Sequence, residues 1–240
     1  MGSMLDAGSS TVFTTTEAAV LAEGCLALSS GAPASKAAGK AKVLTTLVIR
    51  HGDEPSEAPV NKAIDDGIVN VIRLDDGRRT RARRMVDETA ILYLLCTKLI
   101  SLNLTLSAKR NLYQSLRKLR GKSAHSSPSI LLDNFLSFDP GPQFLHWRNC
   151  IAHYAEAREA HVVRDPEIMG GVPTVRGTRI PVHSLAARFE GGESVADIKR
   201  DYPHVKHEAL LAALAYAKAN PKVGRPPAQI TATVRAPWDK

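Results

Sequence analysis

His161 to Asn220 reads HVVRDPEIMGGVPTVRGTRIPVHSLAARFEGGESVADIKRDYPHVKHEALLAALAYAKAN. The stretch is heavily punctuated. Asp165-Pro166 and Gly170-Gly171 are turn signals. Val172 to Val182 reads as a short extended segment, broken at Gly177 and closed by Pro181. Three helical patterns follow, divided by Gly191-Gly192 and by Pro203. Ser194 can cap the second, and Tyr202-Pro203 ends it. His204 to Asn220 is the third, with Leu210, Leu211, Leu214 and Ala217 as its buried stripe. The fold expected here is a three-helix unit preceded by a short β segment.

Working outward, the preceding residues read as a second unit. Residues 1–10 are small and polar, a loose end without the basic and apolar pattern of a signal peptide. Thr14-Thr15-Thr16-Glu17 opens a helix with Ala18, Ala19, Leu21 and Ala22 on its apolar face. Residues 24–59 read as an inserted loop, within which Val43 to Arg50 is a strand candidate because it is rich in β-branched residues. Val60 to Gly67 is a short helix. Ile68 to Leu74 and Arg78 to Val86 are the arms of a hairpin that turns at Asp76-Gly77. Asp87 caps the next helix, and Ser107 to Arg120 is an amphipathic helix on Leu112, Leu116 and Leu119. Ser129 to Asp139 reads as a strand, and Gln143 to Ala160 as a helix burying Phe144, Trp147, Ile151 and Tyr154.

The chain of 240 residues carries a formal net charge of +8, which favours an anionic partner. The charge is concentrated. Six of the twelve residues from Arg73 to Arg84 are arginine: Arg73, Arg78, Arg79, Arg81, Arg83 and Arg84. Helix, short helix, basic hairpin, helix is the order of a winged helix-turn-helix, in which the wing grips phosphates. From Glu88 to Asp133 no acid intervenes, while Lys98, Lys109, Arg110, Arg117, Lys118, Arg120 and Lys122 occur. The basic side of Ser107–Arg120 reads as a solvated face opposite a leucine stripe.

No chemistry-bearing motif is present: no G-x-S-x-G, no phosphate loop and no H-E-x-x-H. His146, Cys150 and His153 share a helical face that reads as a surface cluster without metal. Cys25, Cys96 and Cys150 have no short spacing and suit the reducing cytoplasm. No run is long enough for a membrane span. The expectation is a cytoplasmic binding protein with no catalytic residues and no cofactor.

The opening stretch resembles the domain-of-unknown-function 433 family. The motif is Asp165-Pro166-Glu167-Ile168, Gly170-Gly171, Pro173, Arg176-Gly177-Thr178-Arg179-Ile180-Pro181-Val182, Gly191-Gly192-Glu193-Ser194, Asp201-Tyr202-Pro203 and Ala213 to Ala217. The resemblance implies a homeodomain-like helical bundle and a VapB-like antitoxin of a type II toxin–antitoxin pair. The implied partner is a toxin with a PIN-like ribonuclease fold. TTTEAA and VNKAIDDGIV resemble the two helices of a MerR-like winged module, here separated by residues 24–59.

These readings combine into a mainly α fold with small β elements, of α+β class. Residues 11–122 are a winged helix-turn-helix-like module, 123–160 a strand-helix connector, 161–220 the antitoxin-type helical domain and 221–240 a flexible, basic, proline-containing tail. Lys206 and His207 would meet DNA if the third helix is a recognition helix. Arg176 and Arg179 flank the Gly177 turn, where they suit a phosphate, a partner carboxylate or, equally, an intramolecular salt bridge or cap. In the tail, Lys222, Arg225 and Arg235 could occupy the metal position of an acidic toxin site, with Trp238 as an apolar anchor. The expected assembly is a homodimer, or a heterotetramer with toxin, on operator DNA. The alternative is a stand-alone DNA-binding transcriptional regulator.

Overall fold

The computed structural model describes residues 11–30, 40–49, 56–74, 83–100, 102–119, 129–133 and 136–222. The class is α+β, with nine α-helices and three small antiparallel sheets among these residues. No helix is long and apolar enough to cross a membrane among them.

In the first half, β1 (Val12–Thr14) leads directly into α1 (Thr15–Ser30). Thr14 and Glu17 form a reciprocal cap: the Glu17 amide donates to Thr14 Oγ1 at 3.0 Å, and the Thr14 amide to Glu17 Oε2 at 2.8 Å. After α2 (Lys40–Ile49), α3 (Ala58–Asp65) ends at Gly67, whose φ of 64° supplies the left-handed turn. Then β2 (Ile72–Leu74) pairs antiparallel with β3 (Arg83–Asp87), and β1 pairs with the other edge of β3. The sheet order is therefore β1-β3-β2. Asp87 caps α4 (Glu88–Leu99) by accepting from the Ala90 amide. Every residue of α4 from Thr89 to Cys96 is buried.

In the second half, α5 (Leu106–Leu119) packs on β4 (Ile130–Asp133), which pairs with β5 (Leu136–Phe138). The long α6 (Gln143–His161) runs into β6 (Val162–Val163), and β6 pairs antiparallel with β7 (Thr174–Val175). Gly177, with φ of 76°, makes the turn after β7, and Thr174 bridges to Pro181. Helices α7 (Val182–Glu190), α8 (Val195–Asp201) and α9 (His207–Ala219) close the fold.

One buried cluster takes in residues from Phe13 to Ala219. Helix α9 packs against α1, α2, α6 and α7, and ten of its thirteen residues are buried. Burying so much of a helix makes it the hydrophobic centre of its surroundings rather than a surface element.

Four sequence expectations change. Residues 24–59 are not one loop: 24–30 continue α1 and 40–49 form α2. The strand expected at Val43–Arg50 is this helix. Val43, Leu44, Leu47 and Val48 are buried at helical spacing against α1, α6 and α9, and that packing outweighs the β preference of the branched side chains. Thr45 and Thr46 fit the helix by donating their hydroxyls to Ala41 O and Lys42 O. Gly24 lets α2 approach α1: a Cβ there would stand 2.3 Å from Leu47 Cδ2. Ser129 to Asp139 is two paired strands instead of one. The third helix of the opening stretch starts at His207 instead of His204, because residues 202–206 form a turn held by the Val205 amide on Tyr202 O.

Candidate functional site

Helix α3 buries only Val60 and Ala63 and leaves Lys62 and Asp65 exposed. Its start is pinned to α1. Thr15 and Thr16 donate their hydroxyls to the Glu57 carboxylate at 2.9 and 2.6 Å. Its end is pinned to the hairpin, where Arg84 Nη1 lies 3.2 Å from Asp65 Oδ1. Just beyond, Arg110 of α5 donates to Asp66 O at 3.4 Å, and the Asn70 amide donates to Tyr113 Oη at 3.3 Å. Thus α3, β2–β3 and α5 present one connected surface.

On this surface Arg73 pairs directly with Arg84 across the two strands. Directly opposed side chains share a face, and like charges in that position repel. Asp65 answers one of the two; both guanidinium groups remain exposed. Arg83 contributes its backbone to β3. Arg78, Arg79 and Arg81 lie outside the described residues.

The α7–α9 region is tied internally. Ser194 and Asp197 form a capping box, and the Ser194 hydroxyl and amide hold the Asp197 carboxyl below the usual carboxylate range. Arg188 Nε donates to both Glu193 oxygens, at 2.8 and 3.0 Å, its guanidinium also reaches Asp201, and it lies 5.7 Å from the centre of the Tyr202 ring. Lys199 Nζ donates to Pro203 O, fixing the turn before α9. Lys206 and His207 are exposed at the first turn of α9. With the body of α9 buried, that turn is all the helix can offer a nucleic acid.

Arg176 spans back to α6, donating through Nε to Ala160 O at 3.0 Å and through Nη2 to Glu159 O at 2.7 Å. Of the readings the sequence allowed, this is the intramolecular cap, and it satisfies carbonyls at the end of a helix. Arg179 and Lys222 are exposed. Arg225, Arg235 and Trp238 lie outside the described residues.

The His146, Cys150 and His153 face is not a surface cluster. Cys150 is buried, with His146 Nε2 3.5 Å from its sulfur. Helix α6 is covered by α1, α2, α4 and α9, so its buried arc is wider than its apolar periodicity suggests. Hydrogen bonding to Cys150, together with burial, pushes the Cys25 thiol up. No group of three or more His, Cys, Asp or Glu side chains is arranged to hold a metal among the described residues.

Sequence reasoning missed a polar knot. Glu17, buried, accepts from Tyr154 Oη at 2.9 Å, Arg158 Nη1 at 3.1 Å and Asn220 Nδ2 at 3.1 Å. Burial works against the charge on Arg158, but Glu17, Tyr154 and Glu159 together outweigh it and hold the guanidinium's pKa up. The only local signal was an acid in the first turn of α1.

The matching segment of the chain is the one built from β6 to α9. Residues 162–217 match the family model described as "Protein of unknown function (DUF433)". The DUF433 segment takes in Arg176, Arg179, Lys206 and His207 and excludes the α3–hairpin–α5 surface. The chain is also similar to the "Uncharacterized protein y4eO" of Sinorhizobium fredii (strain NBRC 101917 / NGR234). The identity is 40% over 91 residues, which are 38% of this chain and 41% of that protein. The match thus spans about two fifths of the relative's length. No solved structure shows significant similarity to the chain.

Proposed function

We propose that this chain is the antitoxin of a type II toxin–antitoxin pair. It neutralises an acidic, PIN-like ribonuclease toxin and binds operator DNA to regulate its own operon. The observation that carries the DNA half is the coupling of α3 to the arginine hairpin through Arg84 and Asp65. In a winged helix-turn-helix, a short helix leads directly into a basic antiparallel hairpin, so that helix and wing meet the duplex together.

In this reading α1 and α3 are the helix pair, α3 enters the major groove, and the hairpin arginines grip phosphates. The α7–α9 region is homeodomain-like in its order of three helices. Its third helix serves the core, so Lys206 and His207 act as phosphate contacts from one turn only.

The toxin half rests on the DUF433 segment and on charge. A chain of net charge +8 suits a ribonuclease site ringed by carboxylates. Lys222, Arg225 and Arg235 are the cations assigned to that site, with Trp238 as the anchor. Symmetric operators call for symmetric binders, so the DNA-bound form is a dimer of antitoxin or of antitoxin–toxin pairs.

The test is co-expression with the adjacent open reading frame, followed by co-purification and a ribonuclease assay. Co-purification with loss of ribonuclease activity supports the reading. The second reading is a stand-alone regulator, favoured by the lack of any described toxin-facing group comparable to the α3–hairpin surface. Tight operator binding by the chain alone, with no ribonuclease encoded beside it, would decide for that alternative.

A further inference from the structure

We infer that the exposed stripe of α5 formed by Arg110, Arg117 and Lys118 is a second site for the nucleic-acid phosphate backbone, continuing the α3–hairpin surface. The inference rests on the DNA-binding reading above and extends its footprint.

Taken alone, a basic helix face is ordinarily a solvated one. Three observations together separate this face from that case. First, α5 buries Ala108, Leu112, Tyr113 and Leu116 on one side. At the helical repeat, Arg110, Arg117 and Lys118 fall together on the other side, and all three are exposed. Second, the stripe contains no acid, and none of the ion pairs found among the described residues engages its three cations. Neighbouring like charges on a helix repel, and a solvated face normally interleaves both signs. Third, the stripe is not isolated. Arg110 bonds to Asp66 O at the end of α3, next to the Asp65–Arg84 pair.

The dimensions fit a duplex. From Arg110 to Lys118 the helix rises about 12 Å, at 1.5 Å per residue. Double-stranded DNA presents roughly seven phosphate charges over that length, at one per ~1.7 Å of axis. A continuous line of cations matches a continuous line of phosphates. An acidic protein site, by contrast, gathers its carboxylates at a point.

The experiment uses the full chain and a labelled mixed-sequence duplex of about 30 base pairs, titrated between about 50 and 200 mM NaCl. Two variants are compared with the wild type: Arg110→Gln/Arg117→Gln/Lys118→Gln in α5, and Arg73→Gln/Arg84→Gln in the hairpin. All five side chains are exposed, so circular dichroism should match the wild type. The α5 variant should bind about tenfold or more weakly at the low-salt end, and its slope of log affinity against log salt should be shallower by about 2.7, or ~0.9 for each lost phosphate contact.

Wild-type affinity and slope in the α5 variant, with weakened binding in the hairpin variant, would overturn this inference and leave the DNA-binding reading standing. Absence of salt-dependent binding in the wild type would overturn both. If the α5 variant keeps the DNA profile but loses binding to poly-L-glutamate, the stripe serves an acidic protein and the proposal is wrong.

Discussion

Asn220 Nδ2 donates a hydrogen bond to Glu17 Oε1 at 3.1 Å, joining positions 203 residues apart in the chain. The carboxylate also receives Tyr154 and Arg158 of α6. The first turn of α1, the C-terminal half of α6 and the residue after α9 therefore meet at one buried charge. Asn220, just past the DUF433 segment of residues 162–217, is fastened to the start of the first helix.

A buried ion pair stripped of one partner leaves an uncompensated charge, which costs about 3–5 kcal/mol. Glu17→Ala and Arg158→Ala should each lower unfolding stability by that amount. Asn220→Ala should cost about 1.5–3 kcal/mol, the loss of a hydrogen bond to a charged group. The double variant Glu17→Ala/Arg158→Ala should be less destabilised than the sum of the single changes, since neither charge is then left alone. Urea unfolding measures all four. A Glu17→Ala protein of wild-type stability would contradict this account of the knot.

Acid should destabilise the fold through two histidines. Burial, with Lys42 nearby, lowers the pKa of His146; burial, with Lys222 and Arg164 nearby and Glu190 opposing, lowers that of His183. A histidine whose folded pKa lies below its unfolded value of 6.5 binds its proton more readily in the unfolded chain. Its contribution is complete above pH 6.5 and is lost as pH falls through that value toward the folded pKa. The melting temperature should thus decline on acidification below that point, and His146→Gln/His183→Gln should flatten the decline. Equal slopes in the two proteins would refute the assignment.

DNA affinity should fall steeply with salt because the hairpin contributes point charges to phosphates. Replacing Arg78, Arg79, Arg81, Arg83 and Arg84 by Gln should reduce the slope by up to ~0.9 for each arginine that meets a phosphate. A flat profile in the wild type, or an unaltered slope in the variant, would count against a wing.

Removing residues 221–240 should weaken toxin inhibition more than DNA binding. The segment carries Lys222, Arg225, Arg235 and Trp238, while the α3–hairpin surface is untouched by the deletion. Inhibition measured with the truncated chain at matched concentration checks this. Undiminished inhibition would move the toxin contact elsewhere.

Much of the fold was legible where signals are local. Asp87 and Ser194 cap the helices they were expected to cap, and the two hairpin arms pair through Ile72–Leu74 and Arg83–Met85, while the Asp76-Gly77 turn lies outside the described residues. Asp165 likewise makes its expected turn, accepting from the Glu167 amide at 2.9 Å. What was illegible is non-local. Val43–Ile49 carries β-branched residues and becomes a helix because three other helices cover it. Glu17 looked like an ordinary first-turn acid, and its partners come from positions 154, 158 and 220. Arg110 looked like one of many surface cations, and its place beside Asp66 depends on how α5 packs. Local rules report caps and turns; they do not report which distant backbone arrives alongside.

The antitoxin reading is tested most directly by the ribonuclease activity of the product of the adjacent open reading frame, assayed with increasing amounts of this chain. The account predicts cleavage that disappears as the chain reaches roughly equimolar amounts, as tight binding requires. Cleavage that continues undiminished with the chain in excess would contradict it.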